Sequence, residues 1–209
     1  MPDNATTWKL IHSEREALVD TLQGLSPAQW TAPSLCTGWS VQLTAGHVLA
    51  GAEQTPLAFS TGLLTSGFRF NVMVDRDAKR LGSLAPEEIV ERLRARTTTT
   101  NHPPAPVAAM LGEVVVHGED IRRPLGVPEP VQTDAIVACL DMYKGANFPV
   151  GAKKRIAGLR LIASDADWSQ GAGPEVSGPA LSLLMAMTGR TAGLDGLTGA
   201  GVAVLGPRL

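Results

Sequence analysis

The sequence predicts a mainly α-helical protein that ends in a smaller region of mixed helix and strand. Within the first 150 residues, several segments carry apolar residues at helical spacing, and turn-forming residues separate these segments. Short strand-like runs appear only after Pro149. The chain has 209 residues, of which 44% are hydrophobic, so it is long enough to bury a core. We therefore expect a helical domain over residues 1–150 and a small α/β domain over residues 151–209.

The helices of the first domain are predicted from their periodicity and from the signals at their ends. Ser40 is in position to cap a helix that stops before Pro56. Pro86 and the two acids after it suit the first turn of a later helix. Residues 57–85 are ambiguous, with one candidate helix over 68–81. The other predicted helices are 7–23, 41–54, 85–96, 107–122 and 133–143, and segments 24–38 and 97–106 are predicted loops.

The second domain is predicted from shorter patterns. Its β-branched and apolar runs favour strands, its glycines and prolines favour turns, and one longer apolar run favours a helix. We expect a strand at 159–163, a turn region at 165–173, a helix at 180–187 and a final strand at 202–205.

The helix over 107–122 carries a carboxylate and an imidazole on its apolar face. Glu113 and His117 are four residues apart, so their side chains lie one above the other, in line with Met110, Val114 and Ile121. Burying such groups is costly unless they are paired, and a divalent metal is an economical partner. The alternative is a plain Glu–His hydrogen bond or a solvated helix edge, so a metal site needs a third ligand.

His47 is the best candidate for that third ligand. It lies in the middle of an apolar helix, whereas His102 sits in a proline-rich loop and His12 on the first helix. A bundle that packs these two helices together places His47 opposite Glu113 and His117. A satisfied core histidine remains the alternative interpretation of His47.

Two stretches of the chain resemble signatures of the DinB-like, mycothiol-dependent maleylpyruvate isomerase family. They are LCTGWSVQLTAGHVLA (35–50) and EVVVHGEDIRRPLG (113–126), and residues 161–190 are similar to the small C-terminal region of these proteins. The resemblance implies an up-and-down four-helix bundle of the DinB-like type with a small C-terminal α/β domain. It also implies that His47, Glu113 and His117 hold a divalent metal, with zinc expected, and that mycothiol is the thiol cosubstrate.

Three protein ligands leave zinc an open fourth position, which is typical of catalytic rather than structural sites. A thiol placed there loses its proton, and the thiolate is the reactive nucleophile. We therefore expect a metal-dependent enzyme that uses mycothiol as an S-transferase or as a thiol-assisted cis–trans isomerase of a small electrophile. The alternatives are a metal- and ligand-binding module without turnover and a non-haem iron oxygenase, since two histidines and a carboxylate also suit iron.

Two further residues are candidates near this chemistry. Asp120 can accept a hydrogen bond from His117 and fix its tautomer, although it can equally bond to the arginines that follow it. Arg76 can contact an anionic substrate, although a solvated arginine explains it as well. Cys36 precedes the Gly-Trp turn, and we expect it to be structural because free cysteines are usually buried.

Composition restricts the partners. There are 18 basic and 20 acidic residues, so no basic excess suits a nucleic-acid backbone. No apolar run is long enough for a membrane span, and no signal pattern opens the chain. The two cysteines form no motif, which favours a reducing cytoplasm. We expect a monomer or a homodimer.

Overall fold

The computed structural model describes residues 2–127 and 131–209. The chain divides into two compact units, and the second begins at Val131. The domain boundary expected at residue 150 stays a prediction; in the compact unit that begins at Val131, the helix over 133–143 packs with another helix of that unit. Within the described part of the chain, no helix is both long and apolar enough to cross a bilayer.

The N-terminal unit is helical. α1 packs against α6 and α7, and α3 packs against α5, α6 and α7. Its helices are α1 (Asn4–Gln23), α2 (Pro27–Thr31), α3 (Val41–Glu53), α4 (Pro56–Thr65), α5 (Phe70–Gly82), α6 (Pro86–Arg94) and α7 (Val107–Leu125). Fully buried aliphatic side chains fill the space between them, among them Ile11, Leu18, Leu49, Leu111 and Ile121. The predicted mainly helical fold class is confirmed.

The start of α3 follows the predicted signal. The Ser40 side chain accepts a hydrogen bond from the backbone N–H of Leu43, which replaces a bond that the first turn lacks. Along the same helix, Gly46 meets Gly82 of α5 at backbone distance, since a Cβ built on Gly46 would lie 2.3 Å from the Gly82 nitrogen. The two glycines therefore let α3 and α5 approach closely.

Two helices of the N-terminal unit were not predicted. The loop expected over 24–38 contains α2, whose Ser26 and Gln29 form a capping box. The ambiguous region contains α4, which begins at Pro56 and is capped by Thr55. α7 also extends beyond its predicted end and includes Pro124.

The C-terminal unit combines helices with a small sheet of strand order β2–β1–β3. β1 pairs antiparallel with β2 and parallel with β3. The elements are α8 (Thr133–Tyr143), α9 (Ala152–Arg155), β1 (Arg160–Ala163), β2 (Ser169–Gly171), β3 (Glu175–Gly178), α10 (Ala180–Met187) and α11 (Val202–Leu205), with 3₁₀ turns at Thr191–Gly196 and Gly206–Arg208. Asp141 of α8 accepts hydrogen bonds from Lys144 and from the Trp168 indole.

The prediction of a strand at 202–205 was wrong: this segment forms the short helix α11. Thr198, and not the 202–205 segment, pairs with Ser177 of β3, through the backbone N–H and carbonyl of both residues. The chain then turns, and the backbone N–H of Leu205 donates to the carbonyl of Gly201. The valines of the segment favour a strand, but tertiary context overrides that preference.

Candidate metal centre

α3 and α7 bring His47, Glu113 and His117 together in the N-terminal unit. Glu113 Oε2 lies 2.9 Å from His47 Nε2 and 3.4 Å from His117 Nε2. The two imidazole rings meet edge to face, with centroids 4.7 Å apart. One ligand atom from each residue falls within 4.8 Å of the other two. The predicted juxtaposition of the two helices is present, while the role of these residues as metal ligands stays a prediction.

Local structure explains how three polar groups reach the same point. Glu113 and His117 are one turn apart on α7, so they project from the same face. His47 projects from α3, which packs against that helix. The side chains of His47 and His117 are 15% and 14% exposed, and that of Glu113 is 34% exposed. The cluster is therefore mostly buried, and Glu113 is its most exposed member.

The other ring nitrogen of His117 is bound to Asp120. His117 Nδ1 lies 2.8 Å from Asp120 Oδ2, and the Asp120 side chain is fully buried. Because an ionised carboxylate only accepts hydrogen bonds, Nδ1 carries the proton and donates it. In the neutral ring, the Nε2 lone pair then points to Glu113 and His47. Of the two interpretations of Asp120, the structure has the hydrogen bond with His117, and Arg122 and Arg123 both donate to Glu119.

The segment that precedes α3 contacts the cluster and the end of α7 that carries Asp120. The Trp39 ring lies edge to face against His47, with centroids 5.4 Å apart. The backbone N–H of Leu35 donates to the Asp120 carbonyl at 2.9 Å. Cys36 Sγ lies 3.1 Å from Asp120 Oδ2 and 3.5 Å from His117 Nδ1. Cys36 was expected to be only structural, and no sequence pattern linked it to Asp120.

Cys36, His117 and Asp120 form a second group with metal-ligating atoms within 4.8 Å. The two groups use opposite nitrogens of the same imidazole. In the second group, the contacts of 2.8 and 3.1 Å to Asp120 are those of hydrogen bonds. The first group also contains a hydrogen bond, at 2.9 Å between His47 and Glu113, but its three side chains are all partly exposed, whereas Asp120 is fully buried. The first group therefore fits a metal better.

The hydrogen bonds shift the protonation of the cluster. Burial alone would raise the pKa of the Glu113 carboxyl, but hydrogen bonds from His117 and His47 outweigh it and hold the pKa well below its usual value. Burial alone would lower the pKa of His117, but its contacts with Asp120, Cys36 and Glu113 outweigh it and raise the pKa well above normal. Both groups are therefore poised to be charged in the metal-free protein.

The remaining candidates lie outside this cluster. Arg76 of α5 donates to Thr65 and pairs with Asp77, and its side chain is 44% exposed. His12 and His102 both flank the Trp8 ring. These histidines take no part in either group of metal-ligating side chains found among the described residues.

The donor set suits a divalent metal by its chemistry. Two imidazoles and one carboxylate are a common catalytic zinc set, and the buried Asp120 beside His117 is the kind of outer partner that such histidines have. The same donors also suit iron. The residues present therefore fit a metal, although they do not distinguish zinc from iron.

Comparison with known proteins agrees with this fold. Residues 11–105 match the family model described as the mycothiol maleylpyruvate isomerase N-terminal domain. This range includes His47 and ends before Glu113. Solved structures of a mycothiol-dependent maleylpyruvate isomerase and of a histidine-to-alanine mutant of it superpose with TM-scores of 0.67 and 0.66. Each is 14% identical in sequence and covers 95% of this chain and 93% of its own.

A comparison with curated proteins gives no match. The sequence comparison covers the N-terminal unit from within α1 to just before α7, and the fold comparison covers nearly the whole chain. Both agree with the resemblance that the two motifs carry: residues 11–105 are similar to the mycothiol maleylpyruvate isomerase N-terminal domain, and the chain shares its fold with that isomerase.

Proposed function

We propose that this protein is a metal-dependent enzyme that uses a low-molecular-weight thiol, mycothiol by its family, to transfer sulfur to a small electrophile or to isomerise one. The observation that carries the proposal is the cluster of His47, Glu113 and His117, whose donor atoms lie within 4.8 Å of one another. The family name supports the thiol and the isomerase chemistry. The acceptor is proposed only as a class.

The chain's own residues prepare this site in three ways. Asp120 holds the Nδ1 proton of His117, so Nε2 is the nitrogen that faces the site. The Trp39 ring covers one side of His47 and restricts its rotation. Glu113 stays ionised because its pKa is held low, so it is an anionic ligand at neutral pH. A bound metal would supply a positive charge that lowers the pKa of a coordinating thiol.

The proposed reaction follows from thiol chemistry. In isomerisation, the sulfur forms a bond to one carbon of a conjugated cis double bond while the electron pair moves to the adjoining carbonyl oxygen. The former double bond then rotates, and the reverse electron flow expels the thiol unchanged. In transfer by addition, the sulfur remains bound and the resulting enolate takes up a proton. In transfer by substitution, the leaving group departs with the electron pair of its bond to the attacked carbon. We keep Arg76 as a candidate contact for an anionic acceptor.

Cys36 and Cys139 form no disulfide, which fits a reducing compartment, and we propose a cytoplasmic location.

The test begins with metal. We expect the purified protein to bind about one zinc or cobalt ion per chain, and His117→Ala to lose it because three ligands become two. His102→Ala is the matched control, since this histidine lies outside the cluster. Full metal occupancy in His117→Ala would refute the ligand assignment.

The second part of the test looks for the thiol. In the cobalt-loaded protein, addition of N-acetylcysteine should produce a sulfur-to-cobalt charge-transfer absorption. The zinc protein with a thiol should then convert a cis-configured unsaturated dicarbonyl or label a generic electrophile. Tight metal and thiol binding without turnover across many acceptors would favour a binding module. Iron in the purified protein with oxygen consumption would favour an oxygenase.

A further inference from the structure

Cys36 is bound to the same carboxylate oxygen that supports His117. Its Sγ lies 3.1 Å from Asp120 Oδ2, and His117 Nδ1 lies 2.8 Å from the same oxygen. An ionised carboxylate has no hydrogen to give, so the thiol is the donor in this contact. Asp120 Oδ2 therefore accepts from the Cys36 thiol and from a histidine of the candidate metal centre.

The neighbouring residue fixes the backbone of Asp120 as well. The Leu35 N–H donates to the Asp120 carbonyl at 2.9 Å, and the next residue, Cys36, binds the side chain. The loop is held in turn by contacts within it, since Ser34 Oγ accepts from the Cys36 N–H and the Trp39 N–H donates to the Cys36 carbonyl. A structured loop thus presents the thiol to Asp120 at a fixed place.

We propose that Cys36 is a positioning residue of the candidate metal centre, which acts through Asp120 to hold the His117 ring in the orientation that a metal needs. The inference rests on the proposed function, because it assigns Cys36 a role toward the metal ligands. Without the thiol, Asp120 Oδ2 loses the hydrogen bond that it accepts beside His117. The His117 ring then loses part of its restraint.

The experiment compares the zinc affinities of metal-depleted variants by competition with a chromophoric chelator. We expect Cys36→Ala to weaken zinc binding about tenfold, at the lower end for loss of an outer partner of a metal ligand. Cys36→Ser keeps a donor, and we expect it to recover most of the affinity. Cys139→Ala is the matched control, because this buried cysteine lies on α8 in the other unit, and its affinity should equal that of the wild type.

A double variant tests whether Cys36 acts through Asp120. In an Asp120→Ala background, Cys36→Ala should weaken zinc binding by less than about twofold further, since non-additivity is expected for residues in one network. Equal losses from Cys36→Ala with and without Asp120 would overturn the proposal and indicate a general effect on the loop. So would an unchanged affinity in a folded Cys36→Ala protein.

Cobalt separates positioning from direct ligation. If Cys36 were itself a ligand, as its distance from His117 Nδ1 would allow, the cobalt protein would show sulfur-to-cobalt absorption before any thiol is added, and Cys36→Ala would remove it. This result would overturn the positioning role. If the wild type binds no metal at all, the proposed function fails. If the wild type binds zinc, His117→Ala loses it and Cys36→Ala binds zinc as tightly as the wild type, this inference alone fails.

Discussion

The contact between Gly46 and Gly82 offers a sharp test of how the bundle places His47. A Cβ added at Gly46 would lie 2.3 Å from the Gly82 nitrogen, 2.6 Å from its Cα and 2.9 Å from the Leu81 carbonyl carbon. All three atoms belong to the backbone, so no side-chain rotation can relieve the overlap. Gly46→Ala therefore requires α3 and α5 to separate.

The size of the effect follows from that overlap. Ordinary Cβ contacts begin at 3.4 Å, so the helices must move apart by about 1 Å. Overpacking of this kind costs on the order of 1–3 kcal/mol. The better helix propensity of alanine offsets at most about 1 kcal/mol. We expect a net loss of roughly 1–2 kcal/mol, or several degrees in melting temperature at about 2–4 °C per kcal/mol for a chain of this size.

Gly51→Ala is the matched control on the same helix. Nothing lies within 4 Å of a Cβ built at Gly51, so alanine should be neutral or stabilise the protein by up to about 1 kcal/mol. Urea and thermal denaturation of both variants give the comparison. Because His47 follows Gly46 directly, we also expect Gly46→Ala to weaken zinc binding, while Gly51→Ala should not.

A Gly46→Ala protein as stable as Gly51→Ala would contradict this reasoning. It would mean that α3 and α5 do not pack at backbone distance. A destabilised Gly46→Ala protein with normal zinc affinity would preserve the packing argument and would show that the position of His47 does not depend on it.

Three further outcomes are expected. Arg92→Ala should lower the free energy of unfolding by under about 1 kcal/mol, because the bidentate ion pair between Arg92 and Glu53, at 2.7 and 3.1 Å, is partly exposed. The loss should be smaller in high salt, which denaturation at two salt concentrations measures. A larger loss that does not depend on salt would contradict this. Burial alone would raise the pKa of Asp141, but hydrogen bonds to its carboxylate outweigh this and lower the pKa. The ionised Asp141 therefore stabilises the folded protein above about pH 3.8, and this contribution is lost as the pH falls through the pKa of the folded state. The stability difference between wild type and Asp141→Asn should thus be full at neutral pH and close on acidification, and a pH-independent difference would refute the linkage. Arg76→Ala should leave zinc affinity unchanged and raise KM for an anionic acceptor, and unchanged kinetics would remove Arg76 from the site.

The parts of the fold that sequence could predict are those with local causes. Ser40 caps α3 where the pattern placed it, and α8 has the predicted bounds. α4 could not be found by periodicity, because its apolar residues do not lie on one buried face: Leu57 is 74% exposed and Leu64 is 62% exposed. α2 did carry a local signal, the Ser26–Gln29 capping box, but the glycine and prolines around it favoured a loop.

The candidate site divides in the same way. The stacking of Glu113 and His117 follows from helix geometry, so spacing alone predicts it. Bringing His47 to within 2.9 Å of Glu113 depends on how α3 packs on α7, which only the resemblance to a family of bundles indicated. The contact between Cys36 and Asp120 joins residues 84 positions apart through a loop without regular structure. No pattern of residue types along one chain encodes such a contact.

Pro124 shows how the two motifs are connected physically. A proline within a helix normally ends or kinks it, yet α7 continues to Leu125. Proline has no N–H, so it cannot donate to the carbonyl four residues earlier, which is that of Asp120. Leu35, from the first motif, donates to this carbonyl instead. Because of Pro124, the Asp120 carbonyl has no helical donor and can accept from Leu35 in the loop of the first motif. The same loop places Cys36 against the Asp120 side chain. The two stretches that resemble the family's signatures are thus joined at the residue that supports His117.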